Sequence, residues 1–145
     1  MNTALKKICI FGLAEGVGTM ILKQVDKMDD LDNIQKKVTK ENAESLARTG
    51  SVAIRTCNVK VDRNMIKRAK KKIDQVCQDG EDFEVAQMLS FLFLGLNDLS
   101  LYCKDKEIIQ QVEDAALNFT TMYDPNLEDE KIHQAAMEKY QAWMQ

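Results

Sequence analysis

The sequence predicts an all-α fold: a single-domain bundle of about five or six helices around a central apolar helix at residues 83–103. Three observations carry that expectation. Only one proline and six glycines occur, whereas all-β domains need many turns, and turns need Gly and Pro. Apolar residues recur at helical spacing along most of the chain. Residues 83–103, FEVAQMLSFLFLGLNDLSLYC, are apolar on nearly all sides between Phe91 and Leu96, as the buried centre of a domain must be. A chain of 145 residues suits one core, and no linker, repeat or low-complexity tract divides 1–145.

The first segment, KKICIFGLAEGVGTMILK at 6–23, holds Gly12, Gly16 and Gly18. Leu5, Ile8, Cys9 and Phe11 make one short helical face; Val17, Ile21, Leu22, Val25 and Met28 make a second. Glycine in a helix interior is about 1 kcal/mol less favourable than alanine. Three in so short a span predict a break, with EGVGT as the hinge and Gly18 or Thr19 near the next N-cap.

From Asp32 onward Ile34, Val38, Leu46, Gly50, Ile54, Cys57 and Val61 recur with the helical period. Ala43, Ala47, Gly50 and Ala53 add a stripe of small side chains, which lets a neighbouring helix approach closely and offers a seam for a homodimer. Residues 51–61 also suit a strand, since Val52, Ile54, Val59 and Val61 are β-branched. No downstream strand of comparable quality exists, so helix is favoured, with a break near Gly50 as the variant reading. Asp62 or Asn64 caps the next helix, whose apolar face is Ile66, Ala69, Ile73, Val76 and Cys77. Gly80 in QDGED supplies its left-handed C-cap. After the apolar helix, Asp105 starts another with Ile108, Ile109, Val112, Ala115, Ala116, Phe119 and Met122 on one face. Asp124 and Pro125 then form an N-cap and first-position pair, Glu128, Asp129 and Glu130 suit the helix dipole, and Ile132, Ala136, Tyr140 and Trp143 line the last helix.

Charge is laid out unevenly. Residues 55–72 hold eight Lys and Arg against Asp62 alone, while residues 73–145 hold four Lys against fifteen Asp and Glu. Such a basic segment either pairs with the acidic half of its own chain or binds an acidic partner. Arg55, Arg63, Lys67, Lys70 and Lys71 are the candidate anion or nucleic-acid surface. No aromatic residue is interleaved among them, which weighs against base stacking. Met137, Tyr140 and Trp143 are the candidate partner-binding face, in a chain whose eight methionines suit an adaptable surface.

Chemistry-bearing spacings are sparse. Cys9, Cys57, Cys77 and Cys103 form no CxxC pair and the single histidine, His133, stands apart, on the solvated side of its helix. No metal site and no cofactor are expected. Dispersed cysteines read as buried thiols in a reducing compartment. Lys6 and Lys7 before ICIFGLA imitate an export signal, but Glu15 ends the apolar core early. No uninterrupted run of eighteen apolar residues occurs, so no membrane span is expected, and the location expected is cytoplasmic.

Gly12, Gly16 and Gly18 stand as GxxxGxG after ICIF. That resembles the glycine pattern of the short-chain dehydrogenases, between first strand and first helix, and Tyr102 with Lys106 resembles their catalytic tyrosine–lysine pair. The resemblance implies dinucleotide binding at 12–18 through backbone amides at a helix N-terminus. About twenty residues on, however, where a second strand should end in a ribose-binding acid, the chain reads KMDDLDNIQKK. The order of readings is therefore a non-enzymatic helical domain that binds a protein or itself, then a nucleic-acid binder using 55–72, then a nucleotide binder.

Overall fold

The described residues form six α-helices: α1 (Thr3–Gln24), α2 (Asn33–Thr56), α3 (Arg63–Val76), α4 (Val85–Tyr102), α5 (Lys106–Tyr123) and α6 (Glu130–Met144), with a 3-10 turn at Val25–Lys27. This computed structural model describes residues 1–57, 60–76, 85–123 and 130–145, the side chains of 121–123 excepted, and contains no strand among them. The all-α bundle expected from the sequence is the fold observed. Gly80 and the Asp124–Pro125 start signal lie outside the described residues.

The glycine segment is corrected. Residues 3–24 form one unbroken helix, so EGVGT is neither a hinge nor a phosphate-cradling turn. Gly12 and Gly18 are sites of close approach instead. A Cβ on Gly18 would stand 2.5 Å from the Ala43 carbonyl oxygen and 2.7 Å from the Ala47 nitrogen, both on α2. On α2, Gly50 lies equally tight against the Phe11 carbonyl and Ala14. As numbers rise on α2 they fall on α1, so the two helices run antiparallel with their backbones nearly touching. Gly12 faces Ile73 of α3, where a Cβ would be 2.9 Å from Cδ1. Gly16 meets nothing within 4 Å.

The small-residue stripe of α2 is thereby used inside one chain. Ala43 and Gly50 lie against α1, and Ala53 is buried as well, so these residues are not exposed as a homodimer seam. Residues 51–56 are helix, not strand, and α2 runs through Gly50 without a break until Cys57 turns extended. Its start is a capping box: Asp32 Oδ1 accepts from the Gln35 N–H at 2.7 Å and Gln35 Oε1 accepts from the Asp32 N–H at 2.9 Å, an arrangement in which the cap alone stabilises by about 1 kcal/mol.

α4 lies in the core as expected, and α1 shares that position. α1 packs on α2, α3 and α4; α4 packs on α1, α5 and α6. Leu5, Ile10, Phe11, Leu13 and Ile21 from α1 and Leu89, Phe91, Leu92, Leu96 and Leu99 from α4 are all within 1% of full burial. Each such side chain contributes roughly 1.5–3 kcal/mol of apolar burial. Gly95 of α4 admits the Ile10 side chain, which occupies the space a Cβ would take. Thr3–Lys27 and Val85–Tyr102 are long and apolar enough to cross a membrane, with mean hydropathy 1.4 and 1.2, and 56% of the most apolar stretch of each is buried within the bundle.

α3 starts where Asp62 Oδ1 accepts from the Met65 N–H at 2.8 Å, so Asp62 is the cap. It rests chiefly on α1. Ala69 and Val76 are buried, with Met65 and Ile73 packed beside them, whereas Ile66 is 52% exposed. The seated face is thus rotated from the one predicted, because Gly12 opens a slot for Ile73 and leaves none for Ile66.

Candidate functional site

Seating α3 by one face turns its charges outward. Arg63, Lys67, Lys70 and Lys71 are exposed, and the helical rise of 1.5 Å per residue spaces Arg63, Lys67 and Lys71 about 6 Å apart along the axis. Lys67, Lys70, Lys71, Asp74 and Gln75 line a shallow groove, and Arg68, Lys71, Lys72 and Gln75 line a second beside it. Both grooves are open and lined by lysine, arginine, aspartate and glutamine side chains, whose stems and charged ends suit a partner lying across the surface. Arg55 is exposed too, but on the last turn of α2. Four of the five candidate residues therefore share one helix, and Arg55 stands apart from it.

Among the described residues the ion pairs are Lys6–Asp98, Lys7–Asp105 and Lys40–Asp26. None involves residues 55–72. The intrachain charge pairing considered from the sequence is therefore not made by any described residue. The acidic stretches around 79–84 and 124–129 lie outside the described residues.

The candidate face on α6 divides. Met137 is exposed, but Trp143 is buried and Tyr140 is half-buried. Their rings pack on Phe91 of α4, with centroids 4.8 Å and 5.4 Å away. Tyr140 and Trp143 face an internal seam: α4 is apolar on nearly all sides between Phe91 and Leu96, so a helix laid against it there turns its aromatics inward. His133 is exposed, as its position on the helix predicted.

A partly buried polar cluster locks that seam. Tyr140 donates its hydroxyl to Asp98 Oδ2 at 2.7 Å, and Lys6 forms an ion pair with the same carboxylate. The Lys6 ammonium also stands 5.8 Å from the Tyr140 ring centroid. Burial lowers the Lys6 pKa and pushes the Tyr140 hydroxyl up to about 12. With the Lys6 side chain only 6% exposed, the cluster ties α1, α4 and α6 together and leaves no opening at the ammonium for a substrate. Sequence reasoning missed it. The available signal was a charge inside an apolar run: Lys6 before ICIF and Asp98 within LGLNDLSL.

A second cluster gathers at one end of the bundle. Lys7 donates to Asp105 Oδ2 at 3.2 Å, and the Asp105 N–H donates to Cys103 Sγ at 3.4 Å. Burial alone lowers the Lys7 pKa, but hydrogen bonds to Cys103 and Asp105 outweigh it and the pKa rises. Cys57 and Cys103 are buried with free thiols, as is Cys9 on the other side of α1. Burial pushes the Cys9 thiol up to about 11, against the weaker opposing pull of Lys72 and Arg68.

The dehydrogenase-like features are not assembled. Gly12, Gly16 and Gly18 lie inside α1, with no strand before them. Tyr102 ends α4 with 71% of its surface exposed, while Lys106 begins α5, so the two share no helix face. Comparison of the chain with protein-family models, with curated proteins and with solved structures found no match.

Proposed function

We propose that this chain is a non-enzymatic helical binding module whose α3 face docks an acidic segment of a protein partner. The observation that carries the reading is the exposed set Arg63, Lys67, Lys70 and Lys71 on a single helix, engaged by no ion pair among the described residues. Unpaired like charges at one-turn spacing repel one another, and an acidic partner relieves that repulsion. The absence of an aromatic among them favours an acidic peptide over single-stranded nucleic acid, whose binding draws on base stacking. The cytoplasm is the location that fits this reading together with the free thiols.

The test is fluorescence anisotropy of a labelled oligoglutamate peptide titrated with the protein at low salt. Saturable binding is expected, weakening as salt rises, and on the order of tenfold weaker in the double variant Lys67→Glu, Lys71→Glu. Equal binding by that variant and the native chain refutes the assignment of the face. Preferential retardation of DNA or RNA in a parallel gel shift transfers it to the nucleic-acid reading. Self-association lost in the same variant identifies a second copy as the acidic partner.

A further inference from the structure

We propose that the acidic partner segment also carries an apolar side chain, which seats in a notch between the C-terminal ends of α3 and α6. The inference rests on the acidic-segment reading above and names the second half of that partner's chemistry. α3 is supported by α1, and α6 by α4, so a gap is left where the ends of α3 and α6 come together. Gln75 and Val76 line it on one side, and Lys139, Ala142 and Trp143 on the other. Val76 and Trp143 are buried, at 4% and 6% exposure, and make its floor, while Ala142 is exposed at its edge. Both basic grooves on α3 reach Gln75, and Gln75 also lines the notch. One trough therefore runs from the lysines to an apolar floor.

Charge and apolar surface are ordered along this trough. Lys67, Lys70 and Lys71 come first, Asp74 and Gln75 follow, and Val76 with Trp143 closes it. Asp74 repels a carboxylate, so the partner's acidic residues belong over Lys67 to Lys71 and an uncharged stretch belongs over Asp74. At a helical rise of about 1.5 Å per residue, Val76 lies about 7.5 Å beyond Lys71 and about 13.5 Å beyond Lys67 along the axis. An extended chain advances about 3.3 Å per residue, which puts the apolar anchor roughly two to four residues from the acids. Charge alone holds such a partner poorly. Exposed ion pairs each contribute little and are screened by salt, and they serve association rate and orientation more than affinity. An apolar side chain in a notch rimmed by polar groups, here Gln75 and Lys139, supplies the slow dissociation.

Two labelled peptides test the anchor by fluorescence anisotropy. One has four glutamates flanked on each side by two glycines and a terminal leucine, so it presents the anchor whichever way the chain lies. The other has alanine in place of both leucines. The native protein is expected to bind the leucine peptide on the order of tenfold more tightly, an advantage that persists as salt weakens both. Trp143 is the only tryptophan, and its emission should change with unlabelled leucine peptide and not with the alanine peptide. Ala142→Gln, at an exposed position, fills the notch without altering charge; it is expected to remove the leucine advantage and leave alanine-peptide binding as it was. Equal binding of the two peptides by the native chain overturns the anchor and leaves the acidic-segment reading standing, whereas no binding of either overturns both. A leucine advantage with unchanged Trp143 emission, or one that survives in Ala142→Gln with native circular dichroism, places the anchor elsewhere and overturns the notch. Self-association of the native chain that Ala142→Gln abolishes shows a second copy to be the occupant, and overturns the peptide assignment. The emission test uses the native chain, so it stands even where the variant fails to fold.

Discussion

Gly16 and Gly18 sit two residues apart in one helix, yet substitution by alanine is expected to move stability in opposite directions. At Gly16 a Cβ meets nothing within 4 Å. Gly16→Ala therefore gains only the helical preference of alanine, roughly 0.5–1 kcal/mol. At Gly18 the same gain is available, but the Cβ falls 2.5 Å, 2.7 Å and 2.8 Å from atoms of Ala43 and Ala47. Two of those atoms are backbone, so no rotamer change relieves the clash, and α1 and α2 must separate. Forcing extra carbon into a packed site costs about 1–3 kcal/mol. Separation also loosens the α1–α2 contact along its length, which places Gly18→Ala toward the upper end of that range. The two variants should differ by about 2–3 kcal/mol. Urea unfolding followed by circular dichroism reads this as midpoints on either side of the native one at a common slope. The hinge and phosphate-turn readings predict otherwise, since a glycine needed for its backbone freedom loses stability on becoming alanine. Destabilisation by Gly16→Ala, or stabilisation by Gly18→Ala, refutes the continuous helix and its contact with α2.

Trp143→Ala should cost about 3–5 kcal/mol, as for a buried aromatic, whereas Met137→Ala should stay within about 0.5 kcal/mol; similar losses in thermal melts of the two would place α6 differently. Trp143 is the only tryptophan, so its emission should shift to the red on unfolding. Tyr140→Phe removes a hydrogen bond to a carboxylate and should cost about 1.5–3 kcal/mol near neutrality. Tyr140 is only half-buried, so the lower figure is expected. Its hydroxyl has a folded pKa of about 12 against the ordinary tyrosine value of 10.0, so its stabilisation is complete below pH 10 and lost as pH rises toward 12. The stability gap between native and Tyr140→Phe proteins should shrink across that window, and a gap that widens there contradicts the assigned environment. The Lys67→Glu, Lys71→Glu protein should melt within a few degrees of the native chain, and a large loss would show that α3 depends on those side chains for its seat.

Helix identity was legible because it rests on local pattern. The helical period from Asp32, the cap at Asp62 and the period of α5 act within one or two turns, and sequence displays such neighbours directly. The glycine segment was misread for a physical reason. A glycine weakens its own helix by a local amount of about 1 kcal/mol, and sequence shows that local effect alone. What outweighs it is non-local: two backbones brought together along α1 and α2, with Ala43, Ala47 and Gly50 as the matching small residues. The stripe on α2 was read as an invitation to a close neighbour. Its complement, Gly18 on α1, was read separately as a break. Each half of the contact was visible, and only their register against each other was not.

The same division governs the site. Exposure of Arg63, Lys67, Lys70 and Lys71 follows from amphipathicity, because a helix seated by Ala69 and Val76 has no other side on which to hold them. Which face of α6 remained available did not follow, since Tyr140 and Trp143 look alike as core or as interface until α4 is laid against them. Lys6 and Asp98 lie far apart in sequence, and a lone charge in an apolar run does not name its partner. Burying either alone would be prohibitive, so each residue's position implied that a counter-charge existed somewhere in the chain. Removing one member of a buried pair typically costs about 3–5 kcal/mol, while replacing both by apolar side chains of similar volume is often neutral. Asp98→Ala should therefore be far more damaging than Lys6→Met combined with Asp98→Leu. Near-equal melting temperatures for the two proteins would mean that the pair is not buried together, and that α1, α4 and α6 meet in some other way.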